Sequence, residues 1–178
     1  MKNKICNMAL AAFCALAMPA AFSAQVPAEL KAEAQESLAN FLKADSSLQA
    51  FLDQSAGYAI FPTVAKGGLV VGAAHGKGLV YEKGRLIGLA SMTQASIGAQ
   101  AGGTTFSELI VFETPAALND FKGGTFEMSA EASAVAAAEG ASKAARFRQG
   151  VAVFTLPKKG LMVQATVGGQ KFKFEPLQ

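Results

Sequence analysis

Apolar residues recur along this chain at two different spacings. Over 27–54, Leu30, Ala34, Leu38, Phe41 and Leu42 lie three and four positions apart, which puts them on one face of a helix. Asp45, Ser46 and Ser47 supply a second helix start ahead of Leu48, Phe51 and Leu52, so the region predicts two short helices or one kinked helix. From Gly57 onward the texture changes to short β-rich runs separated by glycines, over 58–64, 69–74, 79–82, 86–94, 96–101 and 106–113. That spacing predicts antiparallel hairpins. Thr114 and Pro115 open a short helix through Phe121, ended by Gly123 and Gly124. The segment 126–138 reads as a strand from the alternation of Phe126, Met128, Ala130 and Ala132, against the helix preference of its alanines. Strands over 151–156, 161–167 and 171–174 close the chain. The fold class expected is α+β, a compact antiparallel barrel-like β domain with N-terminal helices and a short mid-chain helix.

The first residues carry a different signal. Lys2 and Lys4 precede an apolar stretch from Met8 to Phe22, and Ala21, Ser23 and Ala24 form a small-residue exit, the pattern of a signal peptide cleaved after Ser23 or Ala24. The stretch is short for a membrane span, which takes about 20 apolar residues. A lipid anchor on Cys14 is the weaker reading, because Phe13 is too large for the position before a lipidated cysteine. The expected organisation is a leader at 1–24, then one globular domain made of a helical region, 25–56, and a β-rich region, 57–178. Export would place it in the periplasm, where it could lie peripheral to a membrane.

Removing the leader changes the composition that matters. The whole chain has 178 residues, a formal net charge of +3 and two cysteines, but Lys2, Lys4, Cys6 and Cys14 all lie in the leader. The remainder is nearly neutral and has no thiol for a disulfide, a metal site or a nucleophile. Its charges are sorted by segment. The region 27–53 is acidic, 54–107 is basic through Lys66, Lys77, Lys83 and Arg85, and 108–139 is acidic again. The region 140–174 holds Lys143, Arg146, Arg148, Lys158, Lys159, Lys171 and Lys173 and no acid. Such segregation creates a local potential attractive to anions on a protein of small net charge.

The two basic regions also echo each other. Gly57-Tyr58-Ala59-Ile60-Phe61 with Lys66-Gly67-Gly68-Leu69 resembles Gly150-Val151-Ala152-Val153-Phe154 with Lys159-Gly160-Leu161. Glycine-bounded hairpins look alike by composition, and a repeated module is the alternative. The candidate binding residues are the lysines and arginine of these regions: Lys66, Lys77, Arg85, Lys158, Lys159, Lys171 and Lys173, expected on turns. Phospholipid headgroups suit them, since each lysine near an anionic surface contributes about 1 kcal/mol. Nucleic acid does not: the chain has no Trp and two Tyr, and it carries no nucleic-acid motif. His75, the one histidine, reads as a hairpin-tip residue and not as a catalytic base. No enzyme motif, metal-ligand spacing or cofactor loop is complete, so the expectation is a non-enzyme without a cofactor.

Several motifs, taken in order, resemble the SYLF domain family. They are Ala56-Gly57-Tyr58-Ala59-Ile60-Phe61, Val64-Ala65-Lys66-Gly67-Gly68, Gly76-Lys77-Gly78 and Ser96-Ile97-Gly98-Ala99-Gln100-Ala101-Gly102-Gly103. Glu108-Leu109-Ile110-Val111-Phe112 and Gly150-Val151-Ala152-Val153-Phe154 with Lys159-Gly160-Leu161 complete the set. The resemblance implies a β-rich, barrel-like domain with packed helices and no enzymatic activity. It also implies lipid binding, to phosphoinositides in eukaryotic members, with actin binding in yeast-type members. Lys66 and Lys159 are the residues it carries over. This chain has Asp53-Gln54-Ser55 where eukaryotic members are basic, and its helical region is acidic, so Leu30, Leu38, Phe41 and Leu42 are expected to pack in the core and not to anchor in a membrane. The function expected is binding of anionic phospholipid headgroups. The alternative is a structural envelope protein that acts through a protein partner or self-association as a homo-oligomer.

Overall fold

The computed structural model describes residues 25–68, 71–123, 126–128, 135–136, 147–148 and 150–177, with backbone alone for 96–101, 126–128, 135–136 and 159–168. The leader expected at 1–24 lies outside the described residues. Two helices come first, α1 (Ala28–Ala44) and α2 (Leu48–Asp53). Asp45 ends the first by donating its backbone N–H to Phe41 O, and its Oδ1 accepts from the Ser47 backbone N–H at 3.0 Å. Strands β1 (Gly57–Gly68), β2 (Val71–Glu82) and β3 (Arg85–Phe112) follow, then α3 (Pro115–Lys122). Thr114 caps α3, its side chain accepting from the Ala117 N–H at 3.2 Å. The short strands β4 (Phe126–Met128) and β5 (Val135–Ala136) and the long β6 (Val151–Pro176) complete the order. Of the strand expected over 126–138, these two pieces are present; 129–134 and 137–138 lie outside the described residues.

The sequence divides the β region into more pieces than the structure contains. Residues 85–112 form one 28-residue strand and 151–176 one of 26 residues. A glycine weakens a strand without ending it, and here pairing carries the ladder through. Residues 85–97 of β3 pair with β2, and 102–112 pair with β1. β3 therefore climbs one side of the β1–β2 hairpin and descends the other. β6 follows it antiparallel from Phe112↔Val151 to Gly88↔Pro176. The end that carries Gly68, Gly72 and Gly102 is called the upper end below. The lower end holds the β2–β3 turn, where Lys83 (φ 48°) and Gly84 (φ 76°) take the left-handed backbone of a tight two-residue hairpin.

The expected α+β class and antiparallel sheet are present; a closed barrel is not established. β4 pairs with 170–172 and β5, in parallel, with 154–155 of β6, and no ladder among the described residues joins β4 to β5.

Both faces of the lower half of the sheet are covered. On the outer face α1 and α2 pack Ala34, Phe41, Leu48 and Leu52 against Ile60, Leu79, Leu109, Val111 and Phe154, with Leu30, Leu38 and Leu42 partly buried beside them. The helical stripe is thus core packing, as its spacing indicates. On the inner face Phe61, Phe112, Phe121 and Phe172 form an aromatic row with ring centroids 5.0 to 5.7 Å apart. Small residues on β2 make room for it: a Cβ at Gly78 would sit 2.7 Å from the Phe61 ring.

Two irregularities sit side by side. β1 carries one extra residue between Phe61 and Val64 relative to β3, and β6 carries one, Lys158, between Pro157 and Lys159. These bulges flank 105–107 of β3 on its two edges. Ser107 Oγ donates to Pro62 O at 2.7 Å, and Lys158 Nζ reaches across to Thr63 Oγ1 at 3.2 Å.

Candidate functional site

The upper half of the outer face lies beyond the helices. Along β2, Val71, Ala73, His75 and Lys77 are exposed while Gly72, Ala74, Gly76 and Gly78 are buried, the period-two pattern of a strand with one face open. His75 is therefore in mid-strand, opposite Ala65 and Thr93, and not at a hairpin tip. Register then assembles the cations. His75, Thr93 and Lys171 form one rung across three strands, and Lys77, Ser91 and Lys173 form another. Strands about 4.8 Å apart place the backbones of Lys77 and Lys173 about 10 Å from each other, within reach of one headgroup for two long side chains. Lys173 also holds Glu175, Nζ to Oε1 2.9 Å, with both side chains exposed.

Two grooves border this face. One of about 350 Å3 runs between the start of α1 and the sheet and is lined by Glu29, Glu33, Thr63, Ala65, His75 and Lys77 among others. Another, about 480 Å3, is lined by Asn40, Lys43, Ser107, Pro157 and Lys158 at the end of α1. Lys158 is exposed at the β6 bulge. The turns expected around Lys66 and Lys158–Gly160 are strand positions, because the chain keeps its ladders through both. Arg85 is exposed at the lower end beside the Lys83–Gly84 turn and is not on the rungs of Lys77, Lys171 and Lys173. Lys159 takes the register position opposite Thr105, and its side chain lies outside the described residues.

Lys66 faces the other way. It is 8% exposed and follows Val64 on the inner face, where a buried polar cluster closes over the aromatic row. Glu108 is 1% exposed, and its Oε2 accepts from Gln170 Nε2 at 3.0 Å. The same nitrogen lies 3.4 Å from Gln94 Oε1. Gln94 and Gln170 are rung partners on β3 and β6, so the bond to Glu108 crosses the interior from one half of β3 to the other. Glu108 Oε1 and Gln170 Oε1 are buried without a partner. Burial drives the Glu108 carboxyl up to about 7, against the lowering effects of the Gln170 hydrogen bond and the Lys66 charge. Burial lowers the Lys66 amine, while Glu108 acts in the opposite direction. The arrangement can hold a proton near neutral pH.

Sequence reasoning missed Glu108, Gln94 and Gln170. One signal was present for the first: Glu108 alternates with Ile110 and Phe112, which places a carboxylate on an apolar side. Its partners are distant in sequence, and no local pattern reveals them.

Known proteins share these segments. Residues 93–176, from the upper part of β3 to the end of β6, match the model of the Ysc84 family, described as Las17-binding protein actin regulator. Beta cell expansion factor A from Aeromonas veronii is 28% identical over 140 residues, which cover 78% of this chain and 53% of that protein. The chain thus spans about half the length of this curated relative. The ordered motifs on β1, β2, β3 and β6 and the match through the last two agree, and the part of the chain over 93–176 is similar to the SYLF (Ysc84) family.

Proposed function

We propose that this is a non-enzymatic, exported domain that binds anionic phospholipid headgroups with the open upper half of its outer sheet face. The observation that carries this reading is the pair of rungs aligning His75 with Lys171 and Lys77 with Lys173 on one exposed surface. Lys77, Lys171 and Lys173 are the principal contacts, with Lys158 at the margin. Each lysine near an anionic bilayer contributes about 1 kcal/mol, and together they make a surface association that weakens with salt. Lys66, being buried, serves the interior and not the headgroup.

Sedimentation of the protein, prepared without the leader, with phosphatidylglycerol-containing and with phosphatidylcholine vesicles tests this. Pelleting with the anionic vesicles alone, reduced by salt and abolished by combined Lys77→Glu, Lys171→Glu and Lys173→Glu, supports it. Equal behaviour with both vesicle types overturns it. The family description names a protein partner, which favours a second reading: the same domain assembles with a protein or with its own copies. That reading requires a defined complex in light scattering or envelope crosslinking that is insensitive to lipid charge.

A further inference from the structure

Glu108 and Gln170 meet inside the sheet through one hydrogen bond, donated by Gln170 Nε2 to Glu108 Oε2 at 3.0 Å. Gln94 Oε1, 3.4 Å from the same nitrogen, keeps the amide turned this way. One atom of each group is left over, Glu108 Oε1 and Gln170 Oε1, and both are buried without a partner. An unpaired buried oxygen is costly, and here two belong to a single pair of side chains.

An ionised carboxylate only accepts hydrogen bonds, and so does an amide oxygen, so the two leftover atoms cannot satisfy each other while Glu108 is charged. One proton changes that. A carboxylic acid and a primary amide are planar groups that can join by two antiparallel hydrogen bonds, the amide N–H to one acid oxygen and the acid O–H to the amide oxygen. The first of these bonds is present, and the leftover atoms are the two that the second would join.

The charges around the pair leave room for that proton. Among the described residues Lys66 on β1 is the charged group that acts on Glu108. Its neighbours on the other elements are turned away: His75 and Lys77 on β2 and Lys171 and Lys173 on β6 are exposed on the outer face. Glu127 on β4 takes the register position opposite Lys171, and Glu82 and Lys122 of α3 pair with each other.

We infer that a proton on Glu108 Oε1, donated to Gln170 Oε1, closes this ring and makes the pair a pH-operated latch across the inside of the sheet. Glu108 stands in the half of β3 that pairs with β1, while Gln170 stands opposite Gln94 in the other half. The latch therefore ties the two halves of one strand together through a side chain of β6. Burial pushes the Glu108 carboxyl up to about 7, so the ring is closed below that pH and opens as pH rises through it. Once open, it sets two acceptor oxygens against each other with no proton between them. The latch does not rest on the headgroup reading, and either can fail with the other intact.

Nuclear magnetic resonance on protein labelled at Glu carboxyl carbons and Gln side-chain nitrogens tests it. The carboxyl signal that Glu108→Gln removes should titrate with a midpoint near 7, and the Gln170 side-chain amide should shift with the same midpoint. Amide exchange adds a second measurement. Corrected for the intrinsic rate, protection at the Gln94–Gln170 rung should fall about tenfold in the wild type between about pH 6 and about pH 8. Glu108→Gln keeps a donor for Gln170 Oε1 at every pH, so its protection should stay flat. A Glu108 carboxyl that titrates near the ordinary 4.5 overturns the latch, as does one that titrates near 7 without the Gln170 amide following it. The wild-type titration decides between these outcomes even if the variant does not fold.

Discussion

The two faces of the upper sheet use the same residue types under opposite physics. Outside, Lys77, Lys171 and Lys173 are exposed to water, so gathering them costs little. Inside, Lys66 and Glu108 have lost water, and the carboxyl answers by shifting toward its neutral form. Charge on the open face is left to the solvent, while on the closed face it is a condition of folding that depends on pH. A count of lysines by segment merges the two.

Substitutions can separate them. The largest effect is expected at the base of the inner cluster: Phe172→Ala removes a ring that is 3% exposed and packs against Phe61 and Phe121. It should cost about 3–5 kcal/mol in chemical denaturation. Next comes Glu108. Its carboxyl is protonated more readily in the folded chain, at about 7, than at the ordinary 4.5, so its contribution is greatest below 4.5 and is lost as pH rises through 7. The loss amounts to about 3 kcal/mol. Glu108→Gln should remove that slope, read as the difference between wild-type and variant stability against pH.

Exchanging equivalent lysines gives a finer contrast. Lys66→Met takes away the charge that holds the Glu108 carboxyl down, so the pH at which stability falls should move higher; Lys77→Met should leave it unchanged. An unmoved midpoint in Lys66→Met would show that the two faces are not electrostatically distinct. The smallest effect on folding is expected for Lys77→Ala, within about 0.5 kcal/mol of wild type. The same change should weaken binding to anionic vesicles about fivefold, the equivalent of about 1 kcal/mol.

What the sequence revealed followed from how local each feature is. The α1 stripe is written in three- and four-residue spacings, and Thr114 with Pro115 marks α3 where it begins. The concentration of cations in two regions was also legible. Their meeting on one face was not, because it depends on the rungs from β2 through β3 to β6. Strand lengths misread for a related reason: glycines at 88, 98, 102 and 168 look like stops, while pairing with neighbours carries β3 and β6 through them. Glu108 finds its hydrogen-bond partner 62 residues away, at Gln170. The sequence echo has a spatial counterpart, since β1 and the first part of β6 flank the same stretch of β3, with Gly57 and Val151 both opposite Phe112.

The bulge in β1 has a consequence for how this chain tolerates change. Before it, odd-numbered residues such as Ala59 and Phe61 point inward; after it, even-numbered Val64 and Lys66 do. The extra residue works like a frameshift in the side-chain alternation, so the inward address of Lys66 is written at positions 62–63 and not at 66. Losing one residue there would remove the bulge and leave Val64 and Lys66 facing inward; keeping both residues in a regularly alternating strand would instead turn Lys66 out to solvent and bring Ala65 in beside Glu108. A carboxyl would then face the interior without its cation.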